Sequence, residues 1–349
     1  MLQKSKVMHH KSISFYLETH RRFIISIILS IIGISSCFSI ELPTVGGVVR
    51  TRYEYMTLDD LNRFAIRNVR VWIKGDLMPR LSYYVCTDLC DQGKFQFLDA
   101  YGKFDIGTGF TVQAGQFRIP FGVDPFRGPG SYIFADRSFI GRDIDNIRAV
   151  GVQGSYTFQK SFPAKITLGI FGPNAISDQN HWSKTVFYAL KAELPVGPFI
   201  ITGGYQTIQP DIVKVNMADA CLSFSKYRWK AEVEYIYEHY LHHSFPDCHS
   251  YNIWADYSIP LKNTIFNEIS FQTRFDAASN YWDAYGLNSE LESSHPSRKR
   301  ITIGSTLAYI KKPVKCELML NYEKYLYPKS YTPPEGRNDK IVAELVILF

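Results

Sequence analysis

From Gly46 onward, polar and apolar residues alternate with a period of two, in segments of about eight to twelve residues separated by turn-rich connections. That period is the signature of β-strands whose two faces meet different surroundings. It is plainest in Val49-Arg50-Thr51-Arg52-Tyr53-Glu54-Tyr55, in Asn68-Val69-Arg70-Val71-Trp72-Ile73-Lys74 and in Trp229-Lys230-Ala231-Glu232-Val233-Glu234-Tyr235, where one face is charged and the other apolar. The pattern predicts sixteen strands, approximately 47–56, 64–75, 81–89, 95–106, 110–119, 148–158, 164–172, 184–194, 198–207, 216–224, 227–238, 250–259, 267–276, 299–310, 315–324 and 340–349. Connections after even-numbered segments are short, as at Gly107-Thr108-Gly109 and Pro195-Val196-Gly197. Several after odd-numbered segments are long and polar, as at 120–147, 173–183, 277–298 and 326–339.

Loop lengths sorted by parity, with an even strand count, predict an all-β fold: a transmembrane sixteen-stranded antiparallel up-and-down β-barrel. A soluble β-sandwich would also alternate, but nothing in it separates short from long loops. In a membrane the apolar face must look outward to lipid and the charged face inward to water. Tyr53, Tyr55, Tyr235, Tyr237, Tyr251 and Tyr257 fall near segment ends on the apolar face, as an interfacial aromatic belt requires. The apolar end Ile341–Phe349 would be an exposed edge in an open sheet, whereas in a closed barrel it pairs with the first strand.

Phe23–Ser36 is an apolar run preceded by Arg21-Arg22 and followed by small residues, the form of a secretory signal rather than a spanning helix. Residues 1–39 are therefore expected to be a signal peptide and 40–349 an outer-membrane barrel, with cleavage after Ser39 favoured over acylation at Cys37, and with Met8 a second candidate start. The leader carries Lys4, Lys6, Lys11, Arg21 and Arg22 against Glu18, so it accounts for most of the net charge of +6. No basic run remains outside it, which argues against a nucleic-acid partner. The 23 Tyr and 24 Phe, with a mean hydropathy of only −0.13, fit strands with one apolar face better than a fully apolar bundle. Cys86, Cys90, Cys221, Cys248 and Cys316 would remain after cleavage; their spacing fits no zinc motif, and an odd number argues against a disulfide framework. They are expected as small buried strand residues.

Several stretches resemble one family. They are Asn68–Gly75, Leu98-Asp99-Ala100-Tyr101, the block Gly115-Gln116-Phe117-Arg118-Ile119-Pro120-Phe121-Gly122, and Arg142-Asp143 followed by Gly151-Val152-Gln153. Over residues 46–158 the chain is similar to the phosphate-selective porin O and P family, with the Gly115–Gly122 block the most specific match. The resemblance implies a trimeric outer-membrane porin of a Gram-negative-type cell, in which the third outer loop, after the fifth strand, folds inward as a constriction. It also implies phosphate or a similar small anion as solute, and a terminal Phe349 read by the barrel-insertion machinery. Membrane lipid and lipopolysaccharide would surround the barrel.

Selectivity in a pore follows from the charges that line it. Alternation places Arg50, Arg52, Arg70 and Lys74 inward, together with Lys103, Arg228, Lys230 and Arg274, and sets Asp88 and Asp99 among them as counter-charges. Guanidinium suits phosphate because its planar fork makes paired contacts. Inward charges also pair across strands merely to stay solvated, so each has a structural as well as a functional reading. The segment about 117–148 lacks a regular period, a length that marks a functional loop, and is the expected constriction. It holds Arg118, Arg127, Arg137, Arg142 and Arg148 against Asp124, Asp136, Asp143 and Asp145. Arg118 leads this set because it lies in the matched block where strand enters loop, while Pro120, Phe121 and Gly122 are expected to set the bend. His239, His242, His243, Asp247, Cys248 and His249 share an outer loop, but their spacing matches no metal site and a solvated loop is expected. No cofactor, metal or catalytic residue is expected. Passive diffusion of small solutes, anions above all, is thus the leading expectation. Its rivals are a non-conducting barrel that anchors or helps assemble surface proteins, and a glycan-binding β-sandwich lipoprotein tethered through Cys37.

Overall fold

The alternation is realised as an antiparallel barrel in a computed structural model that describes residues 42–144, 148–158, 163–173, 182–209, 213–243, 245–262, 264–282 and 294–349. The leader expected over 1–39, with Cys37 and Ser39, lies outside the described residues, as does Asp145. In chain order the strands are β1 (Thr44–Met56), β2 (Leu61–Met78), β3 (Leu81–Asp91), β4 (Lys94–Gly107), β5 (Phe110–Arg118), β6 (Arg148–Thr157), β7 (Lys165–Phe171), β8 (Phe187–Val196), β9 (Phe199–Ile208), β10 (Val215–Lys226), β11 (Trp229–Tyr240), β12 (Cys248–Pro260), β13 (Glu268–Ala278), β14 (Tyr281–Trp282), β15 (Ser294–His295), β16 (Arg298–Lys311), β17 (Val314–Leu326) and β18 (Lys340–Leu348). All but β14 and β15 form one closed barrel, so each of the sixteen expected segments is a barrel strand. β14 and β15 pair with each other in a separate two-stranded ribbon, which the sequence pattern did not foreshadow.

Closure comes from β1 pairing β18, with Val48 opposite Leu348 and Met56 opposite Lys340. The terminal Phe349 exchanges backbone hydrogen bonds with Gly47 at 2.9 and 3.0 Å, and its ring occupies the space that a Cβ on Gly47 would need. No free edge is left at the chain ends, which answers the aggregation hazard of an apolar terminal strand.

The two faces differ as the period demands. In β1 the side chains of Arg50, Arg52 and Glu54 are buried inside, and in β11 those of Glu232, Glu234 and Glu238. Outward residues such as Ile253, Phe275, Ile301, Leu320 and Val233 stay exposed, a surface that suits hydrocarbon and not water. Register shifts occur at several places in β1–β5, and two of them move the inward parity within the strands. Between β1 and β2, Arg50 opposes Asn68 and Thr51 opposes Ile66, so Arg67 is the extra residue; between β3 and β4, Cys86 opposes Asp99 and Thr87 opposes Phe97, which leaves Leu98 extra and buried. Most turns at one end hold two residues, as at Pro79-Arg80, Thr108-Gly109 and Tyr227-Arg228, while the β6–β7 and β12–β13 connections are longer. Arg80, Thr108 and Tyr227 take positive φ there, the backbone that matches strand twist in tight hairpins. Arg228, expected on an inward face, instead lies in the β10–β11 turn, because β11 begins at Trp229. Among the cysteines, Cys86, Cys221 and Cys248 are buried, Cys90 and Cys316 are half-buried, and all five are free thiols.

Candidate functional site

The candidate site begins where β5 leaves the sheet. Gly115 has φ +135°, and a Cβ there would lie 2.1 Å from the carbonyl oxygen of Ala100, so the strand can approach β4 only with glycine at this position. Four residues on, Ile119, Pro120, Phe121 and Gly122 are all buried, Phe121 N–H donates to the Ile119 carbonyl at 2.8 Å, and Gly122 takes φ +69°. The bend expected at Pro120-Phe121-Gly122 is therefore made by a tight turn and a left-handed glycine.

Beyond the bend, backbone amides of the 119–144 segment meet inward-facing side chains on widely separated strands. Val123 N–H donates to Glu234 Oε1 at 2.5 Å and Asp124 N–H to Glu234 Oε2 at 3.1 Å on β11. Ala135 N–H donates to Asn321 Oδ1 at 2.7 Å on β17, and Phe139 N–H to Asp276 Oδ2 at 3.0 Å on β13. Carbonyls are answered by cations: Arg50 and Arg52 each donate to the Ala135 oxygen at 2.7 Å, Arg274 to that of Asp136 at 2.8 Å, Arg300 to that of Arg137 at 2.6 Å, and Lys191 to that of Gly122 at 2.5 Å. A segment without regular secondary structure must find such partners for its buried polar groups.

These contacts divide the predicted cations in two. Arg50 and Arg52 belong to a dry ion-pair network: both bind Glu344, and Arg52 also holds Asp136 at 2.7 Å. Lys340 joins Asp136 at 2.6 Å and Glu54 at 3.2 Å, while Arg300 bridges Asp276 at 2.8 Å and Glu323 at 3.1 Å. Their side chains are at most a few per cent exposed, so they have no free face for a passing solute. Glu344, Asp276, Glu323, Arg300 and Lys340 were not singled out from the sequence. Their inward parity was readable in Arg298–Thr302 and Lys340–Glu344, but their partners depend on how β18 closes onto β1.

The other cations face a cleft of about 320 Å³ lined by Arg70, Tyr84, Asp99, Tyr101, Gln113, Phe117, Arg118, Phe126, Arg127 and Arg148. That volume holds roughly ten waters at about 30 Å³ each. Arg70 is paired with Asp88 at 3.2 Å, and Asp88 also accepts from Asn68 at 2.8 Å. Arg148 grips Asp99 with two contacts at 2.9 and 3.3 Å. Arg127 is held by Asp124 at 2.7 Å and by Glu232 at 2.5 Å, and lies 5.2 Å from the Trp254 ring centroid. Arg118 differs: it makes no ion pair or hydrogen bond with any described residue, and its Nη1 is buried without a partner. One uncompensated guanidinium thus stands beside three neutralised ones. Tyr84, Tyr101, Gln113 and Phe126 were missed by a search for charge, although Tyr84 and Gln113 share the inward parity of Arg70 and Lys103.

The remaining predicted residues lie elsewhere. Arg137 sits against the Tyr132 ring at 5.6 Å and donates to the Pro125 carbonyl at 3.3 Å. Arg142 pairs with Asp143 at 3.4 Å, and Asp143 is further bound by Arg298 at 2.7 Å and Arg337 at 2.8 Å. Lys74 is exposed near the end of β2, opposite Tyr84, and does not line the cleft itself. Burial opposes ionisation of Asp124, Asp136 and Asp143, yet the cations around them prevail and hold all three below the usual carboxylate value of 3.8. The expected histidine loop is shorter than its motif: His239 lies on β11 and His249 on β12, and His239 Nδ1 and the Tyr237 hydroxyl meet Asp247 at 2.8 and 2.7 Å. Cys248 points inward and is buried, so it is separated from those histidines; no metal-competent group of His, Cys, Asp and Glu occurs among the described residues.

Residues 47–211 match the sequence model of the family described as phosphate-selective porin O and P, and this span contains the whole Gly115–Gly122 block, so the resemblance is borne out there. No curated protein matches the chain. Among solved structures, OmpF of Salmonella typhi in complex with daunomycin is 12% identical, covers 88% of this chain and 97% of its own, and superposes with a TM-score of 0.60. The anion-selective porin from Comamonas acidovorans is 13% identical over 88% of this chain and 99% of its own, with a TM-score of 0.57. The trimer form of OmpT from Vibrio cholerae is 9% identical over 88% and 98%, with a TM-score of 0.57. At these identities the likeness is one of fold: this chain has the porin barrel.

Proposed function

We propose that this protein is an outer-membrane porin that lets small anions, phosphate among them, diffuse passively through the cleft lined by Arg70, Arg118, Arg127 and Arg148. The observation that carries the reading is the unpartnered guanidinium of Arg118 beside three arginines whose charge is already met. A buried cation without a counter-ion is costly, and a mobile anion that lends it temporary partners is the natural occupant of such a place. The planar fork of arginine favours an oxyanion.

The segment 119–147 is read as the inward-folded third loop that narrows the lumen. Support comes from its amides and carbonyls, which meet inward side chains on β1, β8, β11, β13, β16 and β17. The dry network on the β13, β16, β17, β18 and β1 wall then anchors the loop, and solute passes beside it, along β2–β6. Export through the leader 1–39, a homotrimer, and recognition of Phe349 during insertion belong to the same reading, supported by the apolar leader and the family match.

Arg118→Ala is the direct test. In planar bilayers under a salt gradient, its reversal potential should move away from the anion side relative to the parent protein. An unchanged reversal potential would remove Arg118 from the pathway.

A further inference from the structure

The outward surface is largely aliphatic or aromatic; near the end with the long connections Lys324 interrupts it but is held by Asp339, so an outward lysine without such a partner stands out. Lys299 is such a residue: it lies near the start of β16, opposite Ala277 of β13 and Leu326 of β17, and between the inward-facing Arg298 and Arg300. It is exposed, and no described carboxylate reaches it. This is the end of the barrel that carries the long connections.

Lys299 stands at the edge of an outward groove of about 530 Å³ that also involves His249, Tyr251, Ala277 and Leu326. Ala277 lies between Tyr251 and Lys299 on the neighbouring strands, where its small side chain leaves room. His249 forms its other polar edge, with Nδ1 bonded to the Tyr235 hydroxyl at 2.8 Å and its ring stacked on that tyrosine at 6.1 Å. Along the strands away from this end the outward positions turn apolar: Ile253, Phe275 and Ile301 follow on β12, β13 and β16, each about two-fifths exposed. A cation above and a hydrocarbon-matching track below form one continuous surface.

We propose that this groove holds one phosphorylated membrane lipid, with its phosphate on Lys299 and His249 and an acyl chain laid over Ile253, Phe275 and Ile301. Charge complementarity argues for the head and the aliphatic track for the tail. A lysine facing acyl chains with no carboxylate partner among the described residues is otherwise an expense; at headgroup depth, beside an anionic lipid, it becomes an attractive contact. The proposal rests on the barrel spanning a membrane and is independent of which solute passes through it.

Native mass spectrometry of the full barrel released from bilayers tests it, with phosphatidylglycerol as the phosphorylated anionic probe and phosphatidylcholine as the control lacking net charge. The parent protein should retain phosphatidylglycerol over phosphatidylcholine by about fivefold, the effect expected of one lysine at an anionic surface. Lys299→Glu should abolish that preference, and Ala277→Phe, which fills the groove, should lower retention of both lipids. Single-channel conductance should be the same in all three proteins, because neither residue faces the lumen. Equal retention of the two lipids by the parent, or a preference that survives Lys299→Glu, overturns the proposal. So does an oligomer that Lys299→Glu dissociates without any bound lipid, which would assign the groove to a second copy of the chain. Absence of current with lipid preference intact would count against the channel alone, so the two failures are distinguishable.

Discussion

Single residues in this barrel do opposite jobs with the same chemistry. Arg52 and Arg118 are both arginines near the same loop, yet one is bound by Glu344 and Asp136 and the other by nothing described. Removing Glu344 would leave Arg50 and Arg52 as buried charges short of a partner, so Glu344→Ala should lower barrel stability by about 3–5 kcal/mol, read from the temperature at which the folded form is lost on unheated gels. Arg118→Ala, which removes a buried cation that has no counter-ion among the described residues, should not lower that temperature. Asp99 offers a test with the reverse sign: Asp99→Asn frees the Arg148 guanidinium into the cleft and should raise anion over cation permeability, whereas a fall would mean that Asp99 does not act as the counter-charge. Alternation was enough to turn Arg50, Arg52, Arg70, Asp88 and Asp99 inward. It could not tell a paired arginine from a free one, because pairing depends on cross-strand register and on a loop with no period. Arg228 was misplaced for a simpler reason, since the tight turn falls two residues later than expected, at Tyr227-Arg228, and takes it out of the strand.

At the scale of elements, the strands were legible and the loop was not. Period two locates β1 through β13 and β16 through β18 to within a few residues, and the bulges at Arg67 and Leu98 explain where the parity slips. The 119–147 segment has only its length and its arginines as sequence signals; its contacts, such as Phe139 on Asp276, join residues far apart in the chain. Those contacts give it a defined response to acid. Asp124, Asp136 and Asp143 have carboxyls held below 3.8 by nearby cations, so their ionised forms stabilise the bound loop at any pH above that value. The stabilisation is lost only as pH falls below 3.8 and through the lowered values. Amide exchange at Ala135 and Phe139 should therefore stay protected from neutral pH down to about 4 and accelerate below it; loss of protection between about pH 5 and 7 would contradict the ion-pair account.

The whole molecule is organised by a single exchange of inside for outside. A soluble protein buries its apolar residues, whereas here Glu234, Asp276, Glu323 and Thr302 are fully enclosed while Leu168, Ile303 and Leu320 are more than half exposed. Such a surface is stable only against hydrocarbon, and closure of β1 on β18 removes the edges that would otherwise aggregate. The overall form could be inferred before any coordinates because strand count, parity of loop length and an apolar terminal strand each point to the same cylinder. The position of the cleft could not, since it depends on where the 119–144 segment finds its partners and on cross-strand ion pairing. The most direct measurement is single-channel recording of the purified protein in a planar bilayer under a potassium chloride gradient. Discrete current steps with a reversal potential on the chloride side are the predicted result; no current at any salt concentration, or a potential on the potassium side, would contradict an anion passage past Arg118.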